Sequence, residues 1–141
     1  MEQDKLILTA KEGASLSSGS LRLYGTLAST PEGDTSQEGT PAYNVVGCID
    51  LYNYDPLNKR CAVGIMVASE YRRQGYALAM LRILETQYTA SLHTLYADIA
   101  AFNTASIALF AKAGYTECGR FKEWLEYDSH FIDNIRMQKL L

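Results

Sequence analysis

The sequence has little of what several functional classes require. It has no excess of positive charge: 13 Lys and Arg stand against 16 Asp and Glu, a formal net charge of −3, which removes the case for a nucleic-acid-binding surface. The two histidines, His93 and His130, have no partners at metal-ligand spacing, so no metal is expected. The three cysteines, Cys48, Cys61 and Cys118, are far apart and form no C-x-x-C pair. Two of them sit in apolar runs, and all three are expected as free, mostly buried thiols of a reducing compartment. No apolar run is long enough to span a bilayer, and no charged-then-apolar leader opens the chain. The expectation is a soluble, cytoplasmic protein that does not engage membranes. No internal repeat is visible. What remains is one domain: 141 residues, 48% of them hydrophobic, are enough for a single substantial core.

From the N-terminus, Lys5 to Ala10 reads as a short edge strand or as the last turns of a helix, and Gly13 to Ser20 as loop. Leu21 to Leu27 alternates with period two, which predicts a half-buried strand. Ser29 to Ala42 is polar and carries Pro31, Gly33, Gly39 and Pro41, which predicts a long mobile hairpin loop. Tyr43 to Tyr54 predicts a strand, with Gly47 a bulge or close-approach point and Asn53 to Pro56 the turn that ends it. The run Cys61 to Ala68 is apolar on both faces, which predicts a strand covered on both. A helix from about Gly75 to Tyr88 places Ala77, Met80, Leu81, Leu84 and Tyr88 on one side, and Thr94 to Ala100 is the next strand. Strand, crossover helix, strand makes a right-handed βαβ unit with two parallel strands. Asn103 caps a second helix, with Ile107, Phe110 and Ala111 as its apolar face and Gly114 as its stop. Tyr115 to Tyr127, with a bulge at Gly119, turns at Asp128–His130 and returns as Phe131 to Leu140. Glu117, Glu123, Glu126 and Asp128 read as a solvated strand face that could also attract a cationic substrate.

The most informative stretch joins the apolar strand to the first helix: Arg72-Arg73-Gln74-Gly75-Tyr76-Ala77. A Gly-bearing basic loop that opens a helix points several backbone N–H groups at one spot, with the helix dipole behind them. It is a ready site for a phosphate or diphosphate.

Arg72-x-x-Gly75-x-Ala77 at a strand-to-helix junction resembles the Arg/Gln-x-x-Gly-x-Gly/Ala loop of the GCN5-related N-acetyltransferases. Asn103-x-x-Ser106-x-x-x-Phe110-x-Lys112-x-Gly114-Tyr115 is similar to a second segment of that superfamily. Gly119-Arg120, Asp133-x-x-x-Met137 and Val45-Gly47-x-Ile49-Asp50-Leu51 suit its RimJ/RimL and spermidine acetyltransferase branch. The resemblance covers about residues 21–141, leaving 1–20 as a short N-terminal segment. It implies an α/β (α+β) fold: a mixed, mostly antiparallel sheet with a central parallel βαβ unit whose two strands splay apart. It also implies acetyl-CoA as the cofactor. The pantetheine arm is then expected in the splay, against the backbone of Ile65, Met66 and Val67. The diphosphate is expected on the amides of Arg73, Gln74, Gly75, Tyr76 and Ala77, with the Arg72 and Arg73 side chains as charge partners. Asn103, Ser106, Phe110 and Lys112 are expected along the rest of the arm. Gly75 is needed because a side chain there would crowd the phosphate.

The activity implied is transfer of acetyl from acetyl-CoA to a primary amine (a polyamine, a small amine or a protein N-terminus) by direct attack in a ternary complex. Proximity and orientation supply much of such a rate. The chain departs from the family where proton transfer is concerned. The position of the usual basic Glu is Ala62, and that of the usual acidic Tyr is Phe110. Asp98, Tyr52, Tyr54 and Asp50 are the nearby substitutes, although Asp98 reads more readily as a structural hydrogen-bond acceptor, and Tyr52 and Tyr54 as packing or acceptor-site wall, than as proton carriers. A CoA-binding module that has lost catalysis is therefore the competing reading. The family usually places a strand and two helices before the strand at 21–27, where this sequence has about twenty residues. An open acceptor site, a shortened form or cover from a second subunit follows, and the exposed edge favours a homodimer.

Overall fold

The computed structural model describes residues 6–28 and 43–141. The stretch at 29–42 read as a loop lies outside the described residues. Alternating side chains make the strands: Leu21 and Leu23 are buried while Arg22 and Tyr24 face outward. The elements run β1 (Leu6–Ala10), β2 (Leu21–Ala28), β3 (Tyr43–Asp55), β4 (Arg60–Val67), α1 (Tyr76–Tyr88), β5 (Thr94–Ala100), α2 (Thr104–Lys112), β6 (Thr116–Tyr127) and β7 (His130–Leu140). Of the two readings of Lys5 to Ala10, the strand is the one observed over Leu6–Ala10, Lys5 lying outside the described residues. Within the described residues the strands form one sheet of order β1-β2-β3-β4-β5-β7-β6. All its pairings are antiparallel except β4 with β5. Among the described residues no helix is long and apolar enough to cross a membrane.

One face of the sheet carries the core. Ile49, Leu51, Cys61, Val63, Leu95, Ile99, Ile135 and Met137 are buried there. Helix α1 covers them with Tyr76, Met80, Leu81 and Leu84, four side chains whose burial contributes on the order of 8 kcal/mol. The helix sits close because Gly25 has no side chain: a Cβ there would collide with Met80 Sδ. Helix α2 packs on the same side, with Phe110 buried edge-on against Tyr115, ring centroids 5.0 Å apart. It ends as a Schellman motif, Tyr115 N–H donating to the Phe110 carbonyl and Gly114 N–H to that of Ala111, with Gly114 at φ 98°.

Four expectations need correction. The apolar run of β4 is not covered on both faces: Cys61 to Val63 are buried, but Met66 is 66% exposed. Among the described residues no helix lies on the opposite face of the sheet. The turn after β3 comes at Pro56–Lys59, not at Asn53–Pro56. Asn53 takes a positive φ of 50° and the strand continues. Asp55 then closes the turn by accepting from the backbone and side-chain nitrogens of Asn58. Ala111 of α2 is exposed, because only the Phe110 side of that short helix meets the core. The cysteines are less buried than their apolar neighbours suggest: Cys61 is buried, Cys48 half-buried and Cys118 exposed. Cys118 is the extra residue where β6 slips register against β7, next to Gly119. At Gly47 both anticipated features occur. The register of β3 shifts beside it, and a Cβ would collide with the Met66 carbonyl.

Candidate active site

The parallel pair that frames the site is short. Strands β4 and β5 pair only at Arg60↔Thr94, Cys61↔Leu95 and Ala62↔Tyr96. Beyond Ala62 they part, and β4 continues to Val67 bonded to β3 alone. The inner edge of Val63 to Val67 therefore presents backbone groups with no strand opposite. A cavity of about 200 Å³ fills the gap, lined by Val63, Gly64 and Ile65 on one side and by Ala97, Asp98 and Ile99 on the other. Asn103, Ser106 and Phe110 of α2 close it from the helical face.

At the outer end of the gap the loop 72–75 turns into α1. Arg73 has φ 61° and Gly75 φ 85°, so the backbone reverses twice within three residues. The N-cap of α1 is Gly75, which has no side chain to satisfy the first turn. Among the described residues the amides of Arg73, Gly75, Tyr76 and Ala77 have no protein acceptor. Such a set of converging N–H groups is an anion-binding nest at a helix start. Arg72 braces it, donating Nε to the Val67 carbonyl at 3.0 Å. Gln74 folds it, donating its side-chain amide to the Glu70 carbonyl at 2.9 Å.

Nest and gap are joined by one groove. Its outer part, about 500 Å³, is lined by Val67, Tyr71, Arg72, Arg73, Gly75 to Leu78, Ala105, Leu109 and Lys112. Its middle part is lined by Ile65, Met66, Val67, Arg72, Ala77, Asn103, Ala105, Ser106 and Leu109. All the cofactor-side residues expected from sequence except Gln74 line this groove or the gap. Asn103 does so while capping α2, its Oδ1 accepting from Ser106 N–H at 3.2 Å. Sequence reasoning missed Tyr71, Leu78, Ala105 and Leu109; the i, i+4 spacing of the last two puts them on one face of α2, a signal available beforehand.

The gap also borders residues of the opposite face, Gly64 and Asp98. Pleating turns Ala62 and Gly64 to the face without helices, together with Asp50, Tyr52, Tyr96 and Asp98 of the flanking strands. Gly64 lies between Asp50 and the gap, and a Cβ on it would stand 3.7 Å from the Tyr52 ring. Burial, and then the Asp98 charge, push the Tyr52 phenol above its ordinary value. Asp98 accepts from Arg136 Nε and Nη2 at 2.8 and 3.0 Å and from Asn134 at 3.2 Å. Arg136 first, with Asn134 adding to it, holds the Asp98 carboxyl below the usual range against its partial burial. Asp50 is clamped likewise by Arg22, at 2.6 and 2.8 Å. Tyr54 falls beyond the break in the β3–β4 register, away from the gap. The structure thus brings Asp50, Tyr52 and Asp98 to the mouth of the gap and leaves Tyr54 outside. Among the described residues no group of three or more His, Cys, Asp or Glu side chains could hold a metal.

The chain is similar to known proteins. Residues 22–116 match the family model described as the acetyltransferase (GNAT) domain. The spermidine N(1)-acetyltransferase of Vibrio cholerae serotype O1 is 25% identical over 96 residues, 67% of this chain and 56% of that protein. The match thus spans little more than half of the relative's length. The spermidine/spermine N-acetyltransferase SpeG from Vibrio cholerae, in complex with manganese ions, superposes with a TM-score of 0.76 at 18% identity over 99% of this chain and 95% of that one. A dodecameric structure of spermidine N-acetyltransferase from the same organism gives a TM-score of 0.68 at 22% identity over 86% and 65%. At these identities the structural likeness establishes the fold: a mixed sheet, one parallel pair and two helices.

Proposed function

The chain belongs to the GNAT acetyltransferase family, and from that premise we propose that it transfers acetyl from acetyl-CoA to a primary amine by direct attack. One observation carries the reading: the parallel strands part at Ala62, and adjoining hollows that share lining residues lead from that gap to the uncapped amides at the start of α1. A long ligand with a diphosphate at one end and a thioester at the other fits that path. In this reading the amides of Arg73, Gly75, Tyr76 and Ala77 hold the diphosphate, with Arg73 and Lys112 adding charge at the groove wall. The free edge of Ile65 to Val67 pairs with the pantetheine amides as a strand would. Asn103, Ser106 and Phe110 close the other side.

Transfer breaks the thioester C–S bond, forms an amide C–N bond and moves one proton from the amine nitrogen to the departing thiolate. Ala62 and Phe110 take no part in that proton's path. Asp98, held as a carboxylate by Arg136, is too weak a base to deprotonate an alkylammonium. In this reading the amine therefore enters neutral, and Tyr52 gives the thiolate its proton. The loss of both usual proton carriers favours one other reading, a CoA-binding module without turnover. We also infer self-association, because β1 and β6 are open sheet edges among the described residues.

Calorimetric titration with acetyl-CoA, followed by thiol release against a panel of amines, tests the reading. Saturable binding with turnover is expected. Gly75→Glu places a negative side chain at a left-handed position facing the diphosphate. Binding should weaken by at least about 100-fold, equivalent to some 2.7 kcal/mol, with unchanged far-UV circular dichroism. Unchanged affinity in that variant overturns the diphosphate assignment. Binding without turnover on any amine leaves the inactive module.

A further inference from the structure

We propose that the acceptor amine is carried by a neutral or zwitterionic molecule and not by a polycation. The proposal rests on the acetyltransferase reading and concerns the mouth of the same gap. A thioester lying in the gap is open to attack from the helix-free face, beside Gly64. Two carboxylates flank that point, Asp50 on β3 and Asp98 on β5. A polyamine brings further ammonium groups besides the reacting nitrogen, and each must find an unmatched carboxylate to offset its lost hydration.

Neither carboxylate at the mouth is unmatched. Arg22 grips Asp50 through two nitrogens and Arg136 grips Asp98 through two more, with Asn134 added. The face of Tyr96, which could otherwise hold an ammonium by cation–π attraction, is taken by the Arg136 guanidinium at 4.4 Å from the ring centroid. Beyond Tyr52 the surface opens into a hollow of about 400 Å³ lined by Ala14, Ser20, Leu21, Arg22, Asp50, Leu51 and Tyr52. Its charges are one cation and one anion, joined to each other, and its remaining polar groups are hydroxyls. A chain of ammonium groups entering this hollow meets Arg22 as soon as it meets Asp50. A molecule that carries hydroxyls, amides or its own carboxylate finds donors and acceptors in balance. Among the described residues the wall is thus built for an acceptor of no net positive charge beyond the reacting amine.

The test uses protein saturated with coenzyme A, so that no turnover intervenes. Spermidine and glycyl-leucine are titrated separately, at low salt and at physiological salt, where the screening length falls to about 8 Å. The dipeptide should bind at least about tenfold tighter than spermidine, and spermidine affinity should change by less than about twofold with salt. Arg22→Gln releases Asp50 from a solvent-exposed pair and should tighten spermidine about fivefold. Spermidine binding that exceeds the dipeptide and collapses with salt overturns the proposal and leaves the acetyltransferase reading standing. A protein that takes coenzyme A but neither acceptor, with or without Arg22→Gln, also overturns it. Failure of coenzyme A itself to bind overturns both.

Discussion

Ala62 stands directly between Tyr52 and Tyr96 on neighbouring strands. A methyl group there moves no proton, and Phe110 across the gap moves none either, so the reading proposed above turns to Tyr52 at the rim. Sequence could name Asp50, Tyr52, Tyr54 and Asp98 as substitutes but could not rank them. The ranking depends on partners distant in the chain: Arg136 lies 38 residues beyond Asp98 and Arg22 lies 28 before Asp50. Those arginines pair with both carboxylates, and Tyr54 lies beyond the register break. A pH dependence follows for Tyr52. A proton donor works below its own pKa and fails as pH rises through it. Burial raises the phenol above its ordinary value, so its alkaline limb lies above the ordinary tyrosine range. The amine acceptor meanwhile becomes reactive as it deprotonates. The rate at saturating acetyl-CoA should therefore rise with pH through about 9 and show no downturn below about 10. Tyr52→Phe should lower kcat about 100-fold and leave acetyl-CoA affinity unchanged. A wild-type kcat in Tyr52→Phe, or a downturn near neutrality, removes Tyr52 from the chemistry.

Helix ends were legible at the level of single elements, because caps are local chemistry. Asn103, Gly75 and Gly114 mark their boundaries by residue type alone. The splay was not legible in this way. Strands β4 and β5 both read as uninterrupted apolar runs, and no residue in either announces that pairing stops after Ala62. Only likeness to a family located the gap. What fixes α2 beside it is equally remote in sequence. Lys139 of β7 donates to Glu85 of α1 at 2.8 Å and to the Ala113 carbonyl at the end of α2 at 2.6 Å. One ammonium thus ties both helices to the last strand, with its side chain only 27% exposed and that of Glu85 13%. Glu85 Oε1 and the Tyr115 hydroxyl are already buried without partners beside it, so the cluster has little polar satisfaction in reserve. Lys139→Met should cost about 3 kcal/mol, read as a lower urea midpoint with an unchanged slope. Adding Glu85→Gln should recover part of that loss, since the uncompensated carboxylate goes with it. A Lys139→Met protein as stable as wild type shows that the tie carries no net energy.

Seen as a whole the sheet is lopsided. Both helices lie on one face, and the other exposes its side chains across the mouth of the gap. Strand β6 is the outermost at one side and is exposed along nearly its whole length, on both faces of its pleat. Its charged residues Glu117, Glu123 and Glu126 were expected outside, and they are. The aromatics between and beyond them are outside as well: Trp124 is 65% exposed, Tyr127 61% and Phe131 62%. Aromatic residues in a strand pattern read as core from sequence, and only the position of β6 at the sheet edge overrules that. Phe121 and Trp124 meet as tilted rings 5.1 Å apart, and Tyr127 meets Phe102 likewise at 5.0 Å, so this edge presents paired rings. The self-association inferred above would use this open strand with its aromatic surface, the net charge of only −3 opposing it little, and a stable contact needs about 800 Å² from each partner. Trp124 is the single tryptophan of the chain, which makes its fluorescence a direct report on that edge. Its emission should shift to shorter wavelength as protein concentration rises, in step with a doubling of the mass found by light scattering. Trp124→Glu should hold the protein at monomer mass with its circular dichroism unaltered. An emission maximum independent of concentration in a protein already dimeric would move the interface to β1, the opposite edge.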